Sequence, residues 1–186
     1  KGYFQGSSVN YPLSPSGREY AEKVGQVFDA SKYDVVISSP LLRAQETAEI
    51  LDQQQHELVL DDRLQEQDFG EIDGKSGAAL KAEHPDAFDF RGLAGENLAQ
   101  YVAGAETYAE LNARIADFVK DLEANYHDQN VLIVCHGVII RALAANFFNS
   151  QIKNFDQVRN VSLSKFYLDE ADNFAASLIS YNETII

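Results

Sequence analysis

Hydrophobic positions along the 186 residues fall into two patterns: recurrences at three and four, and short unbroken apolar runs. In PSGREYAEKVGQVFD (15–29), Tyr20, Ala21, Val24, Val27 and Phe28 recur at helical spacing behind Ser14 and Pro15, which predicts a capped helix. YDVVISSP (33–40) contains the β-branched run of a buried strand, and Ser39-Pro40 predicts the N-cap and first position of a helix over LLRAQETAEIL (41–51). ELVL (57–60) is a short predicted strand, followed by DDRLQEQDFGEIDG (61–74), whose glycines and carboxylates predict a loop.

From Glu96 to about Tyr126, residues including Leu98, Val102, Leu111, Ile115, Phe118 and Leu122 keep a helical period, as one long helix or two parted near Gly104. VLIVC (131–135) is a fully apolar strand, and Gly137 precedes a helix over VIIRALAANFF (138–148). SLSKFYL (162–168) and AASLISY (175–181) predict two final strands joined around DEADN. There is no internal repeat and no low-complexity linker. The alternation predicts a single α/β domain over 1–186, three layers deep, with a mostly parallel central sheet flanked by helices.

Composition narrows the function classes. Apolar residues are 45% and charged residues 24%, ordinary for a globular chain, and no apolar run is long enough for a membrane span. A net charge of −14 repels polyanions, so nucleic acid is not an expected partner, and a small anionic substrate needs a local basic pocket. The single Cys135 excludes an internal disulfide framework and Cys-rich zinc sites, which fits a reducing, cytoplasmic setting. The N-x-[ST] matches at Asn160 and Asn182 are read as coincidence.

His136 stands where a buried strand gives way to a helix, at the strand's carboxyl end, where open α/β sheets bind ligands. Free N–H groups of the following turn favour an anion there, and Gly137 lets it approach the backbone. Cys135 points to the opposite side if strand geometry continues, which argues against a Cys-His dyad. Arg43 lies in the first turn of its predicted helix, where the macrodipole disfavours a cation unless an anion is near. A histidine at a strand end is more often structural than catalytic, and an exposed arginine can simply reach solvent. Two anion-friendly junctions in one sheet are more telling than either alone.

The acidic loop carries Asp61, Asp62, Glu66, Asp68, Glu71 and Asp73. Most are expected to be solvated, and their spacing does not match a calcium loop, so no metal is expected. A carboxyl group beside a bound phosphate keeps its proton, which suits a general acid, and Glu66 is a candidate that spacing alone does not choose.

Taken together, FQG…PLSPSG (4–17), YDVVISSPLLRAQETAEIL (33–51), LDDRLQEQDFGEIDG (60–74), GEN (95–97), VLIVCHGVIIRAL (131–143) and NVSLSKF (160–166) resemble the histidine phosphatase, or phosphoglycerate mutase-like, superfamily. The blocks occur in the family's order across nearly the whole chain. The resemblance implies phosphoric-monoester hydrolysis through phosphohistidine, with a small phosphate ester as substrate and no cofactor or metal. It places Arg43, His136 and Gly137 on the phosphoryl group, Glu66 on the leaving oxygen, and Gln5 and Gly6 at the substrate.

The departure is that no Arg-His-Gly, the family's nucleophile motif, occurs in these residues. The family places it on a strand just before the FQG-like segment, so the expectation is that the chain as given lacks its first, central strand and is inactive alone. His136 matches the family's second histidine and is not a replacement. His56 and His127, near predicted element ends, and His84, before Pro85, read as surface residues. YFQGS also resembles the end of a cleavable tag, but QG followed by PLSPSG fits the family and favours the native reading. Two alternatives stay open: phosphoryl transfer of the phosphoglycerate mutase type, an isomerase reaction, and a noncatalytic phosphate-binding protein.

Overall fold

The computed structural model describes residues 3–186. β1 (Val35–Ser38) pairs in parallel with β2 (Leu58–Leu60) on one side and β3 (Val131–Val134) on the other, so these three strands have the order β2-β1-β3. β4 (Ser162–Asp169) and β5 (Ala175–Thr184) form a separate antiparallel pair.

β1 and β3 are covered on both faces, which explains their continuous apolar character. On one face Val36, Leu132 and Val134 pack against Ala44 and Ala48 of α2 (Leu42–Asp52), whose other neighbour is α1 (Pro15–Gly25). On the other, Ile37 joins Leu111, Ile115 and Phe118 of α5 (Tyr108–Asn125) and Ile139 and Leu143 of α6 (Gly137–Phe147). α5 opens with a reciprocal capping box: Thr107 accepts from the Glu110 N–H, and the Glu110 carboxylate accepts from the Thr107 N–H. A third cluster, Phe69, Ala87, Ala94, Leu98 and Val102, anchors the segment containing α3 (Ala78–Glu83) and α4 (Leu98–Tyr101) beside the sheet.

The three-layer expectation holds, with local corrections. The first helix ends at Gly25, not Asp29: Val27 is exposed and residues Ala30–Lys32 form a 3-10 turn. The 96–126 pattern is two helices, parted by Gly104 in the left-handed region with φ +74. α3 lacked a long enough apolar period to be predicted. Ser39 and Pro40 do not begin α2, whose N-cap is Leu41; the Ser39 hydroxyl lies 2.7 Å from His136 Nε2 and accepts from the Leu41 N–H at 3.3 Å, one turn ahead of the helix.

A cleft at the strand ends

His136 is the N-cap of α6, directly after β3, and Ser39 directly follows β1. Parallel pairing of β1 with β3 brings these two strand ends together, with the Ser39 N–H donating to the Val134 carbonyl at 2.9 Å. His136 Nε2 lies 2.7 Å from Ser39 Oγ, and both residues are buried. Burial, reinforced by the positive charges of Arg43 and Arg114, pushes the His136 imidazole down to about 3. The ring is therefore neutral at pH 7. Its Nε2 and the Ser39 hydroxyl are within hydrogen-bond reach of each other.

Glu66 reaches the same place from the acidic loop. Its Oε2 accepts from the Val138 N–H in the first turn of α6 at 3.3 Å, and its Oε1 accepts from the Gln67 N–H at 3.0 Å. Burial raises its carboxyl above the ordinary carboxylate range, outweighing those backbone donors and the Arg43 and Arg114 charges. A carboxyl at a helix N-terminus occupies the position that suits an anion.

Arg43 enters from the first turn of α2. Its Nη2 donates to the Gln5 and Gly6 carbonyls at 3.1 Å each and its Nη1 to the Val9 carbonyl, leaving Nε and one Nη1 hydrogen. Burial pulls its pKa down, while Glu66 and Asp73 act in the other direction. Gln5, Arg43, Glu66, His136 and Gly137 all line one cleft of about 1410 Å³. Gly6 is placed differently: its N–H donates to Asp73 Oδ1 at 2.6 Å, and a Cβ there would meet the Gln67 carbonyl at 2.4 Å.

Several loop carboxylates expected to be solvated are engaged. Asp61 pairs with Arg63, Asp68 accepts from the Gly70 N–H, and Asp73 holds Gly6 and Ser8. His56 is likewise not a free surface residue: Nδ1 lies 2.5 Å from Asp52 and Nε2 2.9 Å from the Tyr33 carbonyl. Burial and the nearby Glu66 carboxylate push the Cys135 thiol up to about 12, which leaves it no nucleophilic role at neutral pH.

Arg114, which the sequence reading did not single out, supports the acidic loop from α5. It pairs with Glu106 at 2.6 Å and donates to the Arg63 and Glu66 carbonyls. The two loop carbonyls are 51 and 48 positions away, so no local pattern announces the link. The one His/Asp/Glu group among the described residues able to share a metal ion, His127, Asp128 and Glu170, is exposed and does not line the cleft.

The profile described as "Histidine phosphatase superfamily (branch 1)" matches residues 1–180. The chain belongs to the histidine phosphatase superfamily. Within it, Phosphoserine phosphatase 1 of Hydrogenobacter thermophilus is 29% identical over 183 residues, covering 98% of this chain and 80% of that protein. Among solved structures, a mycobacterial glucosyl-3-phosphoglycerate phosphatase in complex with inorganic phosphate superposes with a TM-score of 0.83 at 25% identity, over 98% of this chain and 92% of that one. A protein titled mycobacterial hydrolase 1 shares the fold with a TM-score of 0.83 at 24% identity, over 98% of this chain and 91% of that one. Both solved structures share the α/β architecture described above. No helix among the described residues is long and apolar enough to cross a membrane.

Proposed function

We propose that this chain supplies the phosphoryl-binding and leaving-group machinery of a phosphoric-monoester hydrolase acting on a small phosphate ester. The observation that carries the reading is the convergence at the α6 N-terminus of a neutral, buried His136 and a buried Glu66 with a raised pKa, with Arg43 in the same cleft. Such a set matches the charge that develops in phosphoryl transfer: donors for the equatorial oxygens and a proton for the leaving oxygen.

In this reading His136 Nδ1–H, the free Arg43 hydrogens and the backbone at Gly137 hold the phosphoryl oxygens. Gln5 borders the remainder of the substrate, and the Gly6 carbonyl helps to hold Arg43. A histidine outside these 186 residues attacks phosphorus, forming the N–P bond as the P–O bond breaks, and Glu66 gives its proton to the departing oxygen. Water then attacks phosphorus, the N–P bond breaks, and Glu66 takes the water's proton back. His136 is not the attacking group, because its Nε2 is engaged with Ser39.

The test is phosphate binding and p-nitrophenyl phosphate turnover by the 186-residue chain. Binding of inorganic phosphate that weakens in Arg43→Ala and His136→Ala, without turnover, supports the proposal. Absence of phosphate binding, or turnover abolished by His136→Ala, sinks it. A noncatalytic phosphate-binding protein is the second reading, favoured because His136 is the only described histidine lining the cleft. Phosphohistidine in protein from the native source, found by mass spectrometry under mildly alkaline conditions, would exclude that alternative.

A further inference from the structure

Residues 65–68, which include Glu66, have no regular secondary structure; they run from the 3-10 turn Asp62–Leu64 to the bridge of Phe69 with Ala105. The place of the Glu66 carboxyl is therefore set by what grips this segment. Glu106 grips it first: its carbonyl accepts from Gln67 Nε2 at 2.9 Å, its N–H donates to the Asp68 carbonyl at 2.8 Å, and its carboxylate accepts from the Asp68 N–H at 3.4 Å. Arg114, in the second turn of α5, forks onto the same carboxylate through Nε at 2.6 Å and Nη2 at 2.9 Å. Its remaining donors reach the Arg63 and Glu66 carbonyls, the latter at 3.5 Å. The Arg114 and Glu106 side chains are only 22% and 14% exposed, so this is not a freely screened surface pair.

Glu66 borders two cavities. It lines the cleft described above, and it also lines a smaller cavity of about 170 Å³ together with Asp62, Asp68, Glu106 and Arg114. Among the described residues Arg114 is the one cation on that smaller cavity, against four carboxyl groups counting Glu66 itself. The other titratable or charged groups around Glu66 are Arg43 from α2 and, at the junction of β3 and α6, Cys135 and the neutral His136. The Arg114 charge favours the ionised form of Glu66 and opposes protonation of His136.

The geometry points to Arg114 as a positioning residue for the reaction proposed above: with Glu106 it fastens the Glu66 segment to α5 and so holds the Glu66 carboxyl against the first turn of α6. Its catalytic meaning rests on that reading; the fastening itself does not. Arg114 does not line the substrate cleft, so it acts through Glu66 and not on the ester. Its charge adds a second constraint. A general acid gives its proton to the leaving oxygen and takes one back from water, and a cation behind the carboxyl eases the first of these transfers. Lysine at 114 keeps the charge but not the fork, because an ammonium lacks the planar pair of donors. Arg63 is the comparison: it ties the same loop to Asp117 and Asp121 of α5 but lines neither cavity.

The experiment is an NMR titration of the Glu66 side-chain carboxyl, read together with the Val138 amide that donates to it, in the 186-residue chain and in its Arg114→Gln, Arg114→Lys and Arg63→Gln variants. In the unsubstituted chain the Val138 amide shift is expected to follow the Glu66 titration. Arg114→Gln is expected to raise the Glu66 midpoint and to shrink the Val138 response by about twofold or more, as that hydrogen bond lengthens. Arg114→Lys is expected to hold the midpoint and lose part of the Val138 response, and Arg63→Gln to change neither. An undiminished Val138 response in Arg114→Gln overturns the assignment, as does a Glu66 midpoint that falls toward the ordinary carboxylate value, the mark of a merely loosened loop. Where Arg114→Gln does not fold, Arg114→Lys decides: a reduced Val138 response with the midpoint held supports the assignment, and an undiminished one overturns it. No substrate enters this titration. Inorganic phosphate that fails to bind the unsubstituted chain sinks the hydrolase reading and leaves the Glu66 result intact, so the two failures are told apart.

Discussion

Ser39 Oγ and His136 Nε2 are 2.7 Å apart, two buried groups from the ends of adjacent parallel strands that lie 97 positions apart in the chain. The contact holds the imidazole by Nε2 and leaves Nδ1 without that partner. Ser39→Ala removes this hydrogen bond at a site without access to bulk water. It is expected to cost about 1–3 kcal/mol of stability by urea denaturation. A loss below about 0.5 kcal/mol, outside the usual range for such a bond, would mean that the pairing contributes little to holding the ring.

Phosphate affinity reports the cleft directly. His136→Ala and Arg43→Ala each remove a donor to a charged ligand and are expected to weaken phosphate binding by roughly 10- to 100-fold in calorimetry. Affinity unchanged in both variants would place the anion elsewhere.

Glu66 gives a pH-dependent stability signature. Its folded-state pKa lies above the ordinary 4.5, so the folded protein holds the proton that the unfolded chain releases as pH rises. The ionised carboxylate in its buried site thus penalises folding above that range. Glu66→Gln, which cannot ionise, is expected to raise the Tm relative to the unsubstituted chain at pH 8 and to leave it nearly unchanged at pH 4. A larger gain at pH 4 would contradict the sign.

His56 predicts the opposite kind of dependence. Its hydrogen bond to Asp52 raises the imidazole pKa, so its stabilising contribution is fully present below the unfolded value of about 6.5 and is lost as pH rises through the folded value. The Tm deficit of His56→Gln is expected to be greatest near pH 5.5 and to shrink toward pH 9. A deficit that is flat across this range would show that the neutral ring does the holding.

Two glycines of positive φ separate backbone conformation from close approach. At Gly70, φ +56, a Cβ would meet the Ala103 carbonyl at 2.3 Å, whereas at Gly104, φ +74, the nearest atom is 3.8 Å away. Gly104→Ala is expected to cost about 1–2 kcal/mol for the left-handed conformation alone, and Gly70→Ala about 2–5 kcal/mol once the backbone clash is added. Thermal melts of the pair, with equal losses, would refute the clash.

Much of the architecture is legible in local pattern. The unbroken apolar runs 35–38 and 131–134 are strands because helices cover both faces, and the 108–125 repeat is a helix with its apolar face on the core. The junction at His136 and the placement of Arg43 in a first helical turn follow from the same reading. The misreadings have local causes. Ser39-Pro40 carries an N-cap signature, yet the serine hydroxyl meets both His136 and the Leu41 N–H and the helix starts two residues later. The acidic loop looks solvated from its composition, yet Asp61, Asp68 and Asp73 bind an arginine or backbone N–H groups.

The sequence alone determined the layer order, the sheet's parallel character, the family resemblance and the candidates Arg43, Glu66, His136, Gly137, Gln5 and Gly6, because periodicity and short motifs are properties of neighbouring residues. Only the tertiary structure decided which of them share a cleft, that Gly6 is held by Asp73, and that burial raises the Glu66 pKa above the ordinary carboxylate range. Those outcomes depend on desolvation and on contacts between residues dozens of positions apart, quantities that exist only once the chain has packed.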